Sequence, residues 1–342
     1  MKAEVIATFY NLYNHYNLLQ PLQLFQRLPL QLLQLLQPIT TSYNIYNSLQ
    51  LLQPLQLSTT TMKFNVFTEM EYTARSPGTI ILNIHALRTP HQTVINETLT
   101  IEPYIKVEEL IAAQSENRLI RFEIPDASSI KVSYKATIDN YCEIMDYSRV
   151  DEIQVAKMDA AVLPYLYPSR YCQSDKLYRL ANNLFGHIQN PFEKVITLTN
   201  WINKNVQYLS GSTNSQTSAF DTVTEQSGVC RDFAHLGIAL CRALTIPARY
   251  FTGYAWQLKP ADFHACFEAY IGDQWVLFDA TKLVPLNGLI KIASGRDAAD
   301  TAIANIFGNV IFTSMLVSCE LAEDGFEPFY YLQPGLMGLS YL

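Results

Sequence analysis

The chain has 342 residues and a formal net charge of −7 at pH 7, which is enough length for two domains of ordinary size with cores of their own. The negative charge and the lack of any run of Lys or Arg argue against a phosphate-binding surface, so we expect no nucleic-acid partner. The sequence has no Walker loop, G-x-S-x-G elbow, H-E-x-x-H motif or dinucleotide fingerprint, and we expect neither a cofactor nor a metal ion.

Residues 1–61 are rich in Leu and Gln and differ from the rest of the chain. The stretch Leu18–Leu24 recurs identically at Leu51–Leu57. Pro and Gln interrupt every apolar run well before the roughly 20 residues that a membrane-spanning helix needs, and the start lacks the features of a secretory signal. We interpret residues 1–61 as a low-complexity, disordered extension upstream of an initiator at Met62, and the alternative is a sticky tail or a weak membrane-surface segment. We expect no membrane partner for the chain.

From Met62 onward, apolar and polar residues alternate with a period of two. A turn is predicted at Ser76–Gly78, and Pro or polar clusters separate the strands. The predicted strands after this turn are Thr79–Leu87, Thr93–Ile101, Arg118–Ile124 and Ile130–Ile138. Short, evenly spaced strands of this kind favour an antiparallel β-sandwich. We predict such a domain over residues 62–145.

A linker and a helical region follow the predicted sandwich. Residues 146–174 are irregular and rich in Tyr, and we assign them as the linker. A second domain is predicted over 175–342, beginning with a helix that ends near Gly186. Asn190 is a predicted N-cap followed by Pro at the first helical position, which starts a second helix.

A helix is also predicted to begin at Cys230. Gly228 interrupts the preceding pattern, and apolar residues recur from Phe233 to Leu244 with the spacing of one buried helical face. Cys230 therefore lies in the first helical turn, where unpaired backbone N–H groups and the helix dipole favour the thiolate over the thiol. The thiolate is the nucleophilic form, so the sequence predicts a reactive cysteine at this position.

The stretch Phe263–Asp279 is predicted to form a β-hairpin with a tight turn at Gly272-Asp273. If Ile271 pairs with Gln274, Asp279 lies opposite Cys266 and diagonal to His264 on one face of the hairpin. The carboxylate of Asp279 would then fix the tautomer of His264 and leave the other ring nitrogen for Cys230.

A zinc site is the chemical alternative, because Cys230, His264 and Asp279 could also coordinate a metal ion. We rank it below a catalytic triad because no fourth ligand stands at a suitable spacing. Asp232 and His235 lie off the helical row through Cys230 and are expected to make local bonds. The six cysteines show neither paired metal spacing nor the density of a disulfide scaffold, which favours a reducing compartment and a cytoplasmic location.

Several segments around these residues resemble the bacterial transglutaminase-like cysteine peptidases, which have a transglutaminase core and belong to the papain-like superfamily. The segments are Gly228–His235, Ile246–Tyr250, Gly253–Tyr254, Asp262–Ala265 and Leu277–Thr281. By this resemblance, Cys230, His264 and Asp279 occupy the triad positions. The resemblance implies an α+β chain in which the N-terminal antiparallel β-sandwich precedes a transglutaminase-like (papain-like) α+β catalytic domain.

The expected function is cysteine-dependent acyl transfer on peptide or carboxamide bonds, most simply as a peptidase or amidase with a peptide or protein substrate. Protein-glutamine cross-linking and a non-catalytic binding role are the alternatives. The backbone N–H of Cys230 is a predicted oxyanion donor, and Tyr208 is a second candidate. The sequence leaves the oligomeric state open.

Cys266 is a departure from the family pattern, because relatives often carry an aromatic residue two positions after the histidine. By the predicted register, Cys266 shares a face with His264 and would leave extra room beside the base. It could form a reversible disulfide with Cys230 if the Cα atoms lie within about 7 Å. The alternative is that another side chain fills the gap and Cys266 is a passive wall residue.

Overall fold

The computed structural model describes residues 58–112, 115–331 and 335–341, and these described residues form one compact unit. The predicted extension therefore lies outside the described residues, apart from Ser58–Thr61. These four residues belong to the first strand and pair with residues 141–144.

The described chain contains thirteen strands and four α-helices. The strands are β1 (Ser58–Leu82), β2 (Gln92–Glu102), β3 (Glu108–Ile111), β4 (Arg118–Ile124), β5 (Ser128–Asp146), β6 (Gln207–Tyr208), β7 (Ser227–Gly228), β8 (Ala248–Ala255), β9 (Phe263–Ile271), β10 (Gln274–Phe278), β11 (Leu289–Gly295), β12 (Ala304–Leu321) and β13 (Met337–Ser340). The helices are α1 (Ser174–Phe185), α2 (Pro191–Asn205), α3 (Ala219–Glu225) and α4 (Cys230–Ala243).

The helix starts follow the local signals in the sequence. The Asn190 side chain accepts a hydrogen bond from the backbone N–H of Glu193 at 2.9 Å, and Pro191 occupies the first position of α2. This cap satisfies one of the N–H groups that a helix start leaves without a partner. The predicted start of the second helix is therefore confirmed.

Most strands belong to one antiparallel sheet that joins the N-terminal region to the helix-containing core. Its main path runs β11-β8-β9-β10-β13-β5-β1-β4-β3, with β12 on β1 and β2 on β5. The antiparallel N-terminal region followed by a helix-containing core makes the chain an α+β protein, as predicted.

The predicted turn at Ser76–Gly78 is instead an irregularity within the continuous strand β1. Ala74 pairs with Val310 and Gly78 pairs with Gly308, so three residues on β1 face a single residue on β12. A bulge accommodates Pro77, which has no N–H to donate to the ladder. Before the bulge β1 pairs with β5, and after it β1 pairs with β4. The strand therefore bends here without reversing its direction.

The long strand β12 comes from the predicted catalytic range but pairs with β1 from Phe64 to Leu82. A late segment thus completes the N-terminal sheet. The domain boundaries at residues 145 and 175 stay predictions.

The core of the helical region lies between α4 and the hairpin of β9 and β10. A Cβ at Gly237 would lie 2.4 Å from the Phe267 ring, so the helix can approach the sheet closely only with glycine at this position. Ala265, Phe267 and Ala269 face this cluster, which leaves His264 and Cys266 on the opposite face of β9. Among the described residues, no helix has both the length and the apolar character required to cross a membrane.

The boundary of the folded unit can be tested by truncation. A chain that begins at Leu57 should melt at the same temperature as the full chain, because the removed Leu/Gln-rich segment lacks the pattern of a folded domain. A chain that begins at Met62 should melt several degrees lower, because it loses the pairing of Ser58–Thr61 with β5. Differential scanning calorimetry of the three chains measures both effects. A lower melting temperature for the Leu57 chain would show that the extension stabilises the fold.

Candidate active site

The start of α4 positions Cys230 as its first residue, and the side chain is partly exposed. The Asp232 carboxylate accepts a hydrogen bond from the Val229 backbone N–H at 2.9 Å and so fixes the first turn. Gly228 makes room for this arrangement, because a Cβ there would lie 2.8 Å from the Asp232 Cβ. The cysteine is thus held on a short, rigid turn.

The predicted local roles of Asp232 and His235 are confirmed. His235 Nε2 accepts a hydrogen bond from the Ala298 backbone N–H at 3.2 Å, and its ring stacks on Tyr171 with 4.9 Å between centroids. Both side chains are fully buried. They support α4 and its neighbours. In the described part of the chain, neither side chain forms a hydrogen bond with His264.

The hairpin that carries the base has the predicted register. Gln274 pairs with Ile271, and Phe278 pairs with Phe267. The turn residues Gly272 and Asp273 have φ values of 59° and 62°, which is the pattern of a type I′ turn with the twist of the flanking strands. Asp279 directly follows β10 and thus continues this register towards His264.

Asp279 and His264 form a buried pair. His264 Nε2 lies 3.0 Å from Asp279 Oδ2, and the side chains are 0% and 2% exposed. The sequence therefore located the two partners through the hairpin geometry alone. The second carboxylate oxygen, Oδ1, accepts a hydrogen bond from the Thr281 backbone N–H at 2.8 Å.

Thr281 is a component of the site that the sequence reasoning missed. Its hydroxyl lies 2.7 Å from Asp279 Oδ1 and 2.9 Å from Oδ2, and 3.5 Å from His264 Nε2. It therefore holds the carboxylate against the imidazole. The available signal was an Asp with Thr two positions later, which is a common local turn pattern.

Charge and burial act in opposite directions on His264. Burial lowers its pKa, but the Asp279 carboxylate, its hydrogen bond to the ring and the neighbouring Cys266 and Cys230 sulfurs outweigh burial, so the pKa lies well above its ordinary value. The other ring nitrogen, Nδ1, has no partner of normal hydrogen-bond geometry in the described chain. The Cys230 thiol is thus close enough to affect the ring but does not form a well-aligned hydrogen bond with it, as is common in substrate-free sites.

The parallel pairing of β6 with β7 brings Tyr208 beside the nucleophile. Tyr208 pairs with Gly228, two residues before Cys230. Burial raises the pKa of Tyr208, the Cys230 sulfur raises it further, and His264 and the Cys230 backbone N–H lower it. The exposed side chain of Tyr208 is therefore close enough to Cys230 and His264 for both residues to affect the pKa of its hydroxyl.

Cys266 lies on the face of His264, as the register predicts. Donor atoms of His264, Cys266 and Asp279 lie within 4.8 Å of one another, so these residues could hold a metal ion. The expectation of extra room beside the base is wrong, because Cys266 is only 1% exposed and packs in a cluster with Phe251, Leu277, Tyr341 and others. Side chains from the C-terminal segment fill the space, and the predicted disulfide with Cys230 stays a prediction.

The arrangement combines a helix-start thiol, an imidazole and a carboxylate that supports the imidazole. A thiol beside an imidazole can attack a carbonyl carbon, and the imidazole can transfer the proton. The carboxylate can hold the ring and stabilise its protonated form.

Comparison with known proteins agrees with this architecture. The profile of the family described as "Bacterial transglutaminase, N-terminal domain" matches residues 62–161, and that of the "Transglutaminase-like superfamily" matches residues 178–280. The crystal structure of a candidate cysteine protease from Cytophaga hutchinsonii is 52% identical, with a TM-score of 0.82, and the match covers 84% of this chain and 100% of that chain.

A curated relative also matches. An uncharacterised protein of Mycobacterium leprae is 28% identical over 146 residues, which cover 40% of this chain and 52% of that protein. The chain therefore spans about half the length of the curated relative that it matches. The two profile matches and the 52% identical structure show that the chain belongs to the transglutaminase-like superfamily and carries the N-terminal domain of bacterial transglutaminases.

Proposed function

We propose that this protein is a cysteine-dependent acyl-transfer enzyme that hydrolyses peptide or carboxamide bonds, with Cys230 as nucleophile, His264 as acid and base, and Asp279 as the group that orients the base. The observation that carries this proposal is the 3.0 Å contact between His264 Nε2 and Asp279 Oδ2, with the Cys230 thiol acting on the same ring. The name of the Cytophaga hutchinsonii protein as a candidate cysteine protease supports the same chemistry.

In the first half-reaction, His264 takes the proton of the Cys230 thiol, the sulfur attacks the substrate carbonyl carbon, and the carbonyl π electrons move to oxygen. The oxyanion then collapses, the C–N bond breaks, and protonated His264 donates its proton to the departing amine. The product is a thioester on Cys230. In the second half-reaction, His264 removes a proton from water, and the resulting hydroxide attacks the thioester. The C–S bond breaks, and His264 returns its proton to the Cys230 sulfur.

The position of Cys230 at the helix start supplies the electrostatic part of the mechanism. Its backbone N–H is not used within the helix and can donate to the oxyanion. The hydroxyl of Tyr208 is the second donor that we propose, because the pairing of Tyr208 with Gly228 places this residue beside the nucleophile. Two donors are the usual number in such a site.

The acyl acceptor distinguishes hydrolysis from cross-linking. A primary amine in place of water would convert the thioester into a new amide, which is the transglutaminase reaction. The match to the bacterial transglutaminase N-terminal domain favours this second candidate. The cytoplasmic location and the absence of nucleic-acid and membrane partners stay predictions from composition.

The deciding experiment incubates the purified full chain with a peptide library, with and without a primary amine, and follows the products by mass spectrometry. New peptide termini identify a peptidase, ammonia release from Gln or Asn identifies an amidase, and amine-linked products identify a transglutaminase. No product of any kind, together with slow alkylation of Cys230 near neutral pH, would indicate a non-catalytic binding protein.

The role of Tyr208 can be tested with Tyr208→Phe. Loss of one oxyanion donor should lower kcat by about 10²-fold with little change in KM, because the interaction forms only as the oxyanion develops. Steady-state kinetics on the best library substrate measure both constants. The exposed Tyr178 of α1, which is 60% accessible, provides the matched control Tyr178→Phe. A raised KM with unchanged kcat would mean that Tyr208 binds the substrate without stabilising the oxyanion.

A further inference from the structure

Behind the nucleophile, the hairpin collects three donor groups of different kinds. An imidazole nitrogen of His264, the sulfur of Cys266 and a carboxylate oxygen of Asp279 lie within 4.8 Å of one another, and all three residues are buried. Nitrogen, sulfur and oxygen donors at such distances are the ligand types that zinc selects in proteins. Cys266 is thus a donor that the metal site considered from the sequence did not include.

The two ring nitrogens of His264 face different neighbours. Nε2 lies 3.0 Å from Asp279 Oδ2, on the side of the three donor groups. Nδ1 has no hydrogen-bond partner within the part of the chain that the structure describes, and the reacting thiol of Cys230 would supply that partner. A cation held with Asp279 and Cys266 would therefore bind through Nε2.

We propose that His264, Cys266 and Asp279 form an inhibitory binding site for a thiophilic divalent cation of the zinc class. The inhibitory part of this proposal rests on the proposed function, whereas the binding part does not. Cys230 borders the site and is partly exposed, which gives the ion a route from solvent and a further sulfur donor.

Binding at this site would stop catalysis through the tautomer of His264. Coordination through Nε2 replaces the direct contact with Asp279 at 3.0 Å. A neutral imidazole that binds a metal ion through Nε2 carries its proton on Nδ1, so His264 can no longer accept a proton from the nucleophile or from water. The effect reverses when the ion is removed.

The proton balance is simple. The Sγ–H bond of Cys266 and the Nε2–H bond of His264 break as the bonds to the ion form. The thiol proton passes to solvent, the ring proton passes to Nδ1 or to solvent, and waters leave the ion. Burial raises the pKa of Cys266 to about 12, so the ion must displace the proton, as in other thiolate metal sites.

The ion is an effector and not a structural component of the fold. The Asp279 carboxylate already accepts hydrogen bonds from the Thr281 hydroxyl and backbone N–H, and it contacts His264. The hairpin is therefore held by bonds within the chain. Metal-free protein should therefore keep its fold, and Zn²⁺ should raise the melting temperature only through its binding to the folded chain.

The binding test uses metal-free full-length protein, Zn²⁺ in equilibrium dialysis and Co²⁺ as a spectroscopic probe. We expect one equivalent of tightly bound Zn²⁺ and a near-ultraviolet thiolate-to-cobalt charge-transfer band. Cys266→Ser and Cys266→Ala should weaken Zn²⁺ binding at least about 10-fold and remove or reduce the band. Cys319→Ser, a buried strand cysteine in another cluster, should behave as the unchanged chain.

The same variants test inhibition. In the unchanged chain, Zn²⁺ should block turnover and a chelator should restore it, whereas Cys266→Ser should need at least about 10-fold more Zn²⁺. The Cys230→Ala variant should be inactive but still bind the ion through Cys266. This result separates failure of the proposed function from failure of the metal site.

Two outcomes would overturn the proposal. One is the absence of stoichiometric Zn²⁺ binding by the unchanged chain. The other is a cobalt band and Zn²⁺ affinity that persist in both folded Cys266 variants but disappear in Cys230→Ala, because the ion would then bind to the nucleophile without Cys266. Circular dichroism melts establish that each variant is folded before titration.

Discussion

Replacement of Cys230 by alanine should abolish acyl transfer, with kcat/KM reduced by at least about 10⁴-fold, while the protein keeps its fold. Without the sulfur no thioester can form, and the remaining oxyanion donors give only weak residual catalysis. Stability should be unchanged because alanine is the best helix former and Cys230 is partly exposed. Steady-state kinetics and a thermal melt of Cys230→Ala measure the two effects.

Chemical labelling provides an independent measurement. Iodoacetamide should modify the unchanged chain at Cys230 near neutral pH with a raised rate, and the Cys230→Ala variant should lose this fast reaction. The matched control is Cys319→Ala, since Cys319 is 9% exposed and packs in the core of the N-terminal sheet. Turnover that survives in Cys230→Ala would show that another residue is the nucleophile.

The second large effect is expected from His264→Ala, which should lower kcat/KM by about 10²- to 10⁴-fold. The substitution removes the imidazole, which is both the base that takes the proton of the thiol or water and the acid that protonates the leaving amine. Asp279→Asn should cost less, because an amide can still contact the ring although it cannot stabilise the imidazolium by charge. Steady-state kinetics of the two variants on one substrate show which substitution causes the larger loss of kcat/KM.

A pH profile shows whether Asp279 acts through His264. The carboxylate raises the pKa of His264, so Asp279→Asn should shift protonation of the ring to lower pH, as measured by the pH dependence of Cys230 alkylation. The same interaction contributes stability that is complete below the unfolded His pKa of about 6.5 and is lost as pH rises through the higher folded pKa. In Asp279→Asn this part of the stability profile should disappear. An unshifted profile, or a larger loss for Asp279→Asn than for His264→Ala, would assign the orienting role to another group.

The hairpin shows how much of the site the sequence could predict. The Gly272-Asp273 turn permits one pairing with the correct twist, and the period of two then assigns His264, Cys266 and Asp279 to one face. The structure has this register. Both rules act over a few neighbouring residues, so the local sequence carries the information. The same is true of the cap at Asn190, which needs only the Pro and Glu that follow it.

The sequence could not predict what packs against that face. Tyr341 lies in the cluster that contains Cys266, although the two residues are far apart in the chain. Tyr208 reaches the nucleophile through a parallel pair with Gly228. Such contacts depend on how complete elements pack, and no short-range pattern fixes that choice.

By itself, the sequence determined the α+β class, the helix start at Cys230 and the hairpin geometry that joins His264 to Asp279, because helix capping, strand alternation and turn twist are short-range effects. Only the tertiary structure decided that β1 continues past Pro77, that β12 completes the N-terminal sheet, and that C-terminal side chains fill the space beside the base. These features bring together segments far apart in the chain, and their formation depends on the burial of complementary apolar faces and the pairing of backbone groups across the folded protein.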